Sequence, residues 1–228
     1  MNLPDGVSHF FDRLTDEYTA VIQRCFPRYH EMLWALIHYL PSLPDDMTIA
    51  ELGCGTGNLS VVLAQRFPKA TIHLNDISSQ SLDQCRQRLP QESRFHIVEA
   101  DMCDALVRLS GLDLIISNIA IHHLPSAAKR QLFSQAYASL RPGGVLAFAD
   151  QLCGATDHIY QSHLQQWRRD SLAAGGTEEE WQMWMEHQRR HDHHDSLSNH
   201  LTWLHDLGFT NSDCIWRYLL WSVIQARR

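Results

Sequence analysis

Lysine is nearly missing from this chain. Of 228 residues only Lys69 and Lys129 are lysine, against 17 arginines, and no basic run is longer than a pair. With a formal charge of −7, the sequence has no electrostatic footprint for duplex nucleic acid, so nucleic acid is not an expected partner, although structured RNA held locally stays open. Patterned cysteines are missing too. Cys25, Cys54, Cys85, Cys103, Cys153 and Cys214 are scattered with no C-x-x-C pair, which argues against a disulfide framework or a zinc knuckle and for free thiols in a reducing compartment. No apolar run approaches the ~18 residues that would span a bilayer. The opening "MNLPDGVSHFFDRLTDEY" has acids and no long apolar stretch, unlike a signal peptide. No membrane association and a cytoplasmic location are the expectations.

What is present is ordinary in bulk, 44% hydrophobic and 20% charged, enough for one domain with a real core. Residues 8–40 read as two helices broken at Pro27, the second placing Met32, Leu33, Leu36, Ile37 and Leu40 on one face. From "MTIAELG" onward short apolar strands alternate with helices: "LSVVLAQRFP", "ATIHLND", "SSQSLDQCRQRLP", "RFHIVEAD", "LDLIISNIAI", "SAAKRQLFSQAYASL" and "GVLAFADQL". Such alternation means right-handed βαβ units and a parallel sheet. The expected fold is therefore α/β, Rossmann-like and doubly wound, with a mostly parallel seven-stranded sheet and an antiparallel last strand. Residues 1–44 would form an N-terminal helical cover. The polar, histidine- and tryptophan-rich stretch 155–195 interrupts the rhythm after the fifth strand and would fold over the sheet's carboxyl edge as a helical lid.

Residues 50–58, "AELGCGTGN", follow the first strand and strip side chains from alternate positions. A phosphate-binding loop would close with G-K-[ST], and no lysine lies nearby. A dinucleotide turn would place its third glycine one residue later than Gly57. A nucleoside-like ligand without a pyrophosphate suits the loop better. Asp76, at the end of the second strand, is placed to accept both ribose hydroxyls. Asp101, at the end of the third, can accept an exocyclic amine beside the Met102 amide. Either aspartate alone reads equally as a helix cap, but behind this loop they favour an adenosine site at the strands' carboxyl ends.

The set "ELGCGTG", "LNDIS", "EADM", "ISNIAIHHL", "LRPGGVLAFAD" and "WLHDLGF" resembles the class I S-adenosylmethionine-dependent methyltransferases over residues 48 to about 225. The resemblance implies that the chain is an enzyme using S-adenosyl-L-methionine and releasing S-adenosyl-L-homocysteine. It places Gly53, Gly55 and Gly57 against the methionine part, Asp76 on the ribose, Asp101 and Met102 on the adenine, and Asn118 and Ile119 at the floor near the methyl. Glu51 and Ile77, inside the same motifs, complete the expected cofactor set.

The acceptor is less legible. The surface lacks basic character, so a small neutral or anionic molecule is expected. Tyr18 and Arg24 on the N-terminal helices, and His122 and His123 past the fourth strand, are candidates to shape its pocket. In "EHQRRHDHHDSLSNH" a helix would bring His187, His191 and His194 to one face with Asp195 beside the last. That pattern fits a transition-metal site, an acid/base couple or a solvated polar face. The reading adopted makes His123, His191 and His194 catalytic and assigns no metal. Tryptophans 167, 181, 184, 203, 216 and 221 either line an aromatic acceptor site or form core, and with the N-terminal helices they offer a homodimer surface. A narrower likeness joins "FFDRLTDEYTAVIQRCFPRYHEM" and "HQRR" to the carboxy-S-adenosylmethionine synthases. It implies that Tyr29 touches the cofactor's carboxylate and that Arg190, or Arg189, pairs with an extra one. The segment after "HQRR" is shorter here and full of histidine. The alternatives to small-molecule methylation are thus synthase-like conversion of the cofactor and a cofactor-binding regulatory module without turnover.

Overall fold

The computed structural model describes residues 18–228, the side chains of 18, 19, 20 and 23 excepted. The portion of the first expected helix before residue 18 lies outside the described residues. Helices α1 (Tyr18–Cys25) and α2 (Tyr29–His38) are separated at Pro27, as the sequence suggests. Then come β1 (Thr48–Leu52), α3 (Asn58–Arg66), β2 (Thr71–Asp76), α4 (Ser79–Arg88), β3 (Phe95–Glu99), α5 (Met102–Val107) and β4 (Leu112–Asn118). A short 3-10 turn at Ile121–His123 leads into α6 (Ser126–Ser139) and β5 (Leu140–Gln151). Helices α7 (Asp157–Ala173), α8 (Glu178–His191) and α9 (Leu197–Asp206) precede β6 (Thr210–Tyr218) and β7 (Trp221–Arg227).

The seven strands form one sheet in the order β3-β2-β1-β4-β5-β7-β6, with β1 to β5 parallel and β7 antiparallel to both its neighbours. Strand order reverses between β1 and β4, which leaves a crevice beyond their carboxyl ends where open α/β sheets receive ligands. β4 is buried along nearly its whole length and carries the apolar run Leu114–Ile116 because it is covered on both faces. Leu114 and Ile116 point into one core with α2, α3 and α4, and Ile115 into the other with α5, α6 and α9. Among the described residues no helix is long and apolar enough to cross a membrane.

The segment expected as a lid contains two helices, α7 and α8, joined by Gly175 and Gly176. Thr177 and Glu180 form a capping box at the start of α8. Trp167, Trp181, Trp184 and Trp221 are buried inside the chain, whereas Trp203 and Trp216 are half-buried and Trp34 is exposed. Trp167 and Trp184 pack edge-on or tilted around Phe26 of the N-terminal region, with Trp221 of β7 closing the group. The Trp167 indole N–H donates to the Cys25 carbonyl at 2.6 Å, and Arg24 pairs with Glu180. N-terminal helix, lid and sheet therefore share one apolar joint. α8 ends at His191, so His194 does not continue its face; 192–195 run extended back across the sheet edge.

Removing the Trp167 ring should be costly. Trp167→Ala should lower unfolding stability by about 3–5 kcal/mol. Trp167→Phe should cost about 1–3 kcal/mol, chiefly by leaving the Cys25 carbonyl without its donor. Urea unfolding of the two variants checks this. A phenylalanine variant as stable as the parent would mean that the joint rests on apolar contact alone.

Candidate functional site

The crevice is shaped by the glycine loop. The loop leaves β1 with Gly53 and Gly57 at φ of +66° and +85°, the region that disfavours side chains. A Cβ on Gly53 would stand 2.5 Å from that of Ala120, and one on Gly57 would stand 2.9 Å from Cys85 Sγ. The first glycine thus lets the chain past β4 approach the loop. The second lets α3 start against α4 and does not line the crevice. Asp76 holds the loop from below, its Oδ2 accepting from the Gly55 N–H at 2.8 Å and its Oδ1 from the Ser78 N–H at 2.9 Å. Burial raises the Asp76 carboxyl against the pull of these backbone donors.

A cleft opens here, bringing together Tyr29, Glu51, Gly53, Gly55, Asp76, Ile77, Met102, Asn118, Ile119 and His123 of the expected residues. Cys54, Asn75, Ser78 and Ala120 also line it; their short or ambiguous side chains carry no motif signal. The wall is rich in acceptors. Glu51 is 2% exposed and bonded by the Ser60 hydroxyl at 2.7 Å, and burial pushes its carboxyl well above the ordinary 4.5. Asn75 Oδ1 and Asn118 Oδ1 are buried without a hydrogen bond, while Asn118 Nδ2 donates to the Tyr29 hydroxyl at 3.3 Å. Among the described residues no lysine or arginine lines the cleft. Buried acceptors without cations suit a ligand carrying donors and positive charge, such as an ammonium, ribose hydroxyls or a sulfonium, and disfavour a polyphosphate.

Other expected residues fall elsewhere. Asp101 caps α5, accepting from the Cys103 N–H at 2.8 Å, and does not line the cleft. Arg24 is engaged with Glu180. Arg190 and Arg189 pair with Glu186 on the outer face of α8, with side chains 66% and 72% exposed. Tyr18 begins α1, and its side chain lies outside the described residues.

The histidines converge, but not on Asp195. Asp195 is taken by the buried Lys129 at 2.8 Å and by the Ser126 hydroxyl at 2.8 Å. The extended backbone after α8 instead turns Asp192 inward. His123 Nδ1, His187 Nε2 and His122 Nε2 stand 3.2, 3.5 and 3.7 Å from its Oδ1, and His194 Nε2 stands 3.5 Å from its Oδ2. His122 Nδ1 is 2.5 Å from Asp150 Oδ1, and His194 Nδ1 is 2.7 Å from the Tyr160 hydroxyl. His191 stays behind His187, ring centroids 5.1 Å apart. Burial lowers His122, and burial holds His187 down at about 3. Burial alone would raise Asp192, but its histidine neighbours, His122 foremost, hold it below the ordinary carboxylate range. Sequence reading singled out the imidazoles but missed Asp192. "HDHHD" names it, yet continuing the helix through 194 would put it on another face.

A family model described as "Methyltransferase domain" matches residues 49–144. The trans-aconitate 2-methyltransferase of Variovorax paradoxus is 39% identical over 105 residues, covering 46% of this chain and 39% of that protein. The carboxy-S-adenosyl-L-methionine synthase of Chromohalobacter salexigens is 27% identical over 234 residues, covering 97% of this chain and 84% of that protein. This chain thus spans only about two fifths of the trans-aconitate enzymes that it matches first. The structure of human N-acetylserotonin methyltransferase in complex with S-adenosylmethionine superposes with a TM-score of 0.63 at 15% identity, over 97% of this chain and 56% of that one.

Glu51 gives a signed pH effect. Its folded-state carboxyl is raised, so its proton is held more tightly in the folded chain. The stability that this contributes is full below 4.5 and is lost as pH rises towards the folded value. Glu51→Gln should therefore unfold at a higher temperature than the parent at pH 8 and show a much smaller difference near pH 4. Thermal melts of both ligand-free proteins at the two pH values test this. An equal gap at both would remove Glu51 as its cause.

Proposed function

We propose that the chain is a class I S-adenosylmethionine-dependent methyltransferase, supported by the methyltransferase-domain match over residues 49–144 and by its relatives, and that it transfers a methyl group to a small-molecule acceptor and releases S-adenosylhomocysteine. The observation that carries this reading is the acceptor-lined, cation-free cleft at the β1/β4 reversal. S-adenosylmethionine supplies a methyl group already activated by its sulfonium: the acceptor's lone pair forms the new bond to carbon while the C–S electron pair stays on sulfur.

The chain's own residues have correspondingly little covalent work. Asp76, fixed by two backbone donors, receives the ribose hydroxyls. Gly53 and Gly55 let backbone come close to the amino-acid part, with Glu51 as the negative partner for its ammonium. Met102 packs beside the adenine, and Ile77 lies next to the ribose. Asn118, Ile119 and Tyr29 close the methyl end and exclude water, and holding two reactants in line there supplies most of the rate. Ile119 sits at φ +54°, unusual for a β-branched residue, and this turns the chain under the methyl end. His123, in the cleft wall and beside Asp192, is placed to take a proton from an acceptor that arrives protonated.

The synthase-like alternative calls for a guanidinium beside the reacting group. Arg189 and Arg190 instead face outward, which favours methyl transfer. The acceptor stays a class: a compact molecule reaching the cleft past His123, with trans-aconitate the first compound to try because relatives over residues of the sheet carry that name.

Mass spectrometry of ligand released from the denatured, purified chain tests the reading. Plain S-adenosylmethionine or S-adenosylhomocysteine is expected, lost in Asp76→Ala, with methylated product appearing on incubation with a small-acid panel. A carboxylated cofactor, lost in Arg190→Ala, would overturn it for the synthase chemistry. Cofactor bound without turnover on any acceptor would leave a binding module.

A further inference from the structure

The cluster around Asp192 is more than a set of neighbouring imidazoles. His122, His123 and Asp192 each offer a ligand atom, all within 4.8 Å of one another. His187 and His194 place ring nitrogens 3.5 Å from the same carboxylate. Donors around a zinc-like ion at ~2.0–2.1 Å sit roughly 3.3–3.4 Å apart in a tetrahedral arrangement and roughly 2.8–3.0 Å apart in an octahedral one. The 3.2–3.7 Å separations seen here lie near those edges.

The orientation of His122 fits the same end. Its Nδ1 faces Asp150 Oδ1 at 2.5 Å, which fixes that nitrogen as the N–H of a neutral ring and leaves the Nε2 lone pair aimed at Asp192 Oδ1. Two lone-pair atoms are thereby presented to one point. A buried carboxylate that orients an imidazole through its far nitrogen is the arrangement that metal-ligating histidines use. The Tyr160 hydroxyl, which accepts from Gln188 Nε2, stands 2.7 Å from His194 Nδ1 and would orient that ring in the same way when it accepts the Nδ1 proton. Asp192 Oδ1 and His194 Nε2 are buried without a hydrogen bond of good geometry. The side chains of His122, His123, His187, His194, Asp150 and Asp192 are at most 7% exposed.

We infer that His122, His123 and Asp192, with His187 and His194 standing against the same carboxylate, bind one divalent transition metal of the zinc or iron class beside the cofactor cleft. Imidazole and carboxylate donors suit those ions, whereas calcium and magnesium would want oxygen alone. His123 and Ile119 each border both the cleft and the region of the cluster, so the ion would stand where an acceptor enters. The acceptor class is then a small molecule whose nucleophilic oxygen, nitrogen or sulfur also ligates a metal. Bound there, it loses its proton to solvent before attack, a route that would take the place of proton transfer to His123, which then serves as a ligand. Metal binding stands independently of the methyl-transfer reading, while its use on the acceptor rests on that reading.

The test is metal retention by the full chain. Chelator-treated protein is loaded with Zn²⁺ or Co²⁺, desalted, and assayed by plasma mass spectrometry, with the cobalt form read by visible absorption. One ion per chain and a Co²⁺ d–d band are expected. Asp192→Asn and His187→Ala should weaken binding by at least ~10-fold, and Asp150→Asn by about 10–100-fold through His122. His96→Ala removes the exposed partner of the stacked pair with His73 and should change nothing. S-adenosylhomocysteine binding by calorimetry reports whether each variant is folded. Parent protein that retains no ion, or that loses it to His96→Ala and not to Asp192→Asn, would overturn the site. Failure of cofactor binding with metal retained would sink only the methyl-transfer reading.

Discussion

A carboxylate taken out of water must be held by groups that answer its charge, and that requirement at Asp192 organises one whole edge of the molecule. The backbone that delivers it is fastened on both sides. The His193 N–H donates to the His122 carbonyl at 2.8 Å, and the Cys153 N–H to the Asp195 carbonyl at 3.1 Å. Lys129, 1% exposed, closes the segment by pairing with Asp195. One of the chain's two lysines is thus buried in a structural pairing. The lid helices, the 3-10 turn after β4 and the end of β5 are all tied through these few bonds.

The carboxyl edge of the sheet is consequently divided. On the β1/β2 side, loop amides and Asp76 make a seat with acceptors turned inward. On the β4/β5 side, His122, Asp150 and the returning segment make a nest of imidazoles. The end of β4 joins them: Asn118 bonds the N-terminal cover through Tyr29, and Ile119 borders both regions. A ligand in the first region and an acceptor in the second would meet at that residue, where the backbone is at a positive φ. The fold of the strands sets this meeting point, and the inserted helices decide what chemistry arrives there.

The strand and helix alternation was legible because buried parallel strands and amphipathic helices write different periods into the sequence. The glycine loop was legible because close backbone approach permits few other residues, as the contact between Gly53 and Ala120 illustrates. Asp101 was the harder case. An aspartate at a strand end reads alike as cap or ligand, and here its side chain caps α5. The histidine nest was only half legible. Spacing along a helix put His187, His191 and His194 together, but the helix stops at His191, and the extended turn that follows selects Asp192 over Asp195. Contacts made by an irregular segment depend on what it packs against, and no local period records them.

The departure from the synthase pattern now has a physical content. That likeness places a guanidinium where a carboxylated cofactor would need a fixed positive charge. Arg189 and Arg190 occupy the matching stretch but turn to Glu186 and solvent, and the inward-facing groups are imidazoles. A guanidinium keeps its charge and has no lone pair to offer, so it recognises anions and ligates nothing. A neutral imidazole differs on both counts: its N–H can still bond a carboxylate, and its other nitrogen offers a lone pair to a proton or a metal. On the proposed reading, exchanging one for the other at the same sheet edge would change the site from reading a charge on the cofactor to activating a nucleophile beside it.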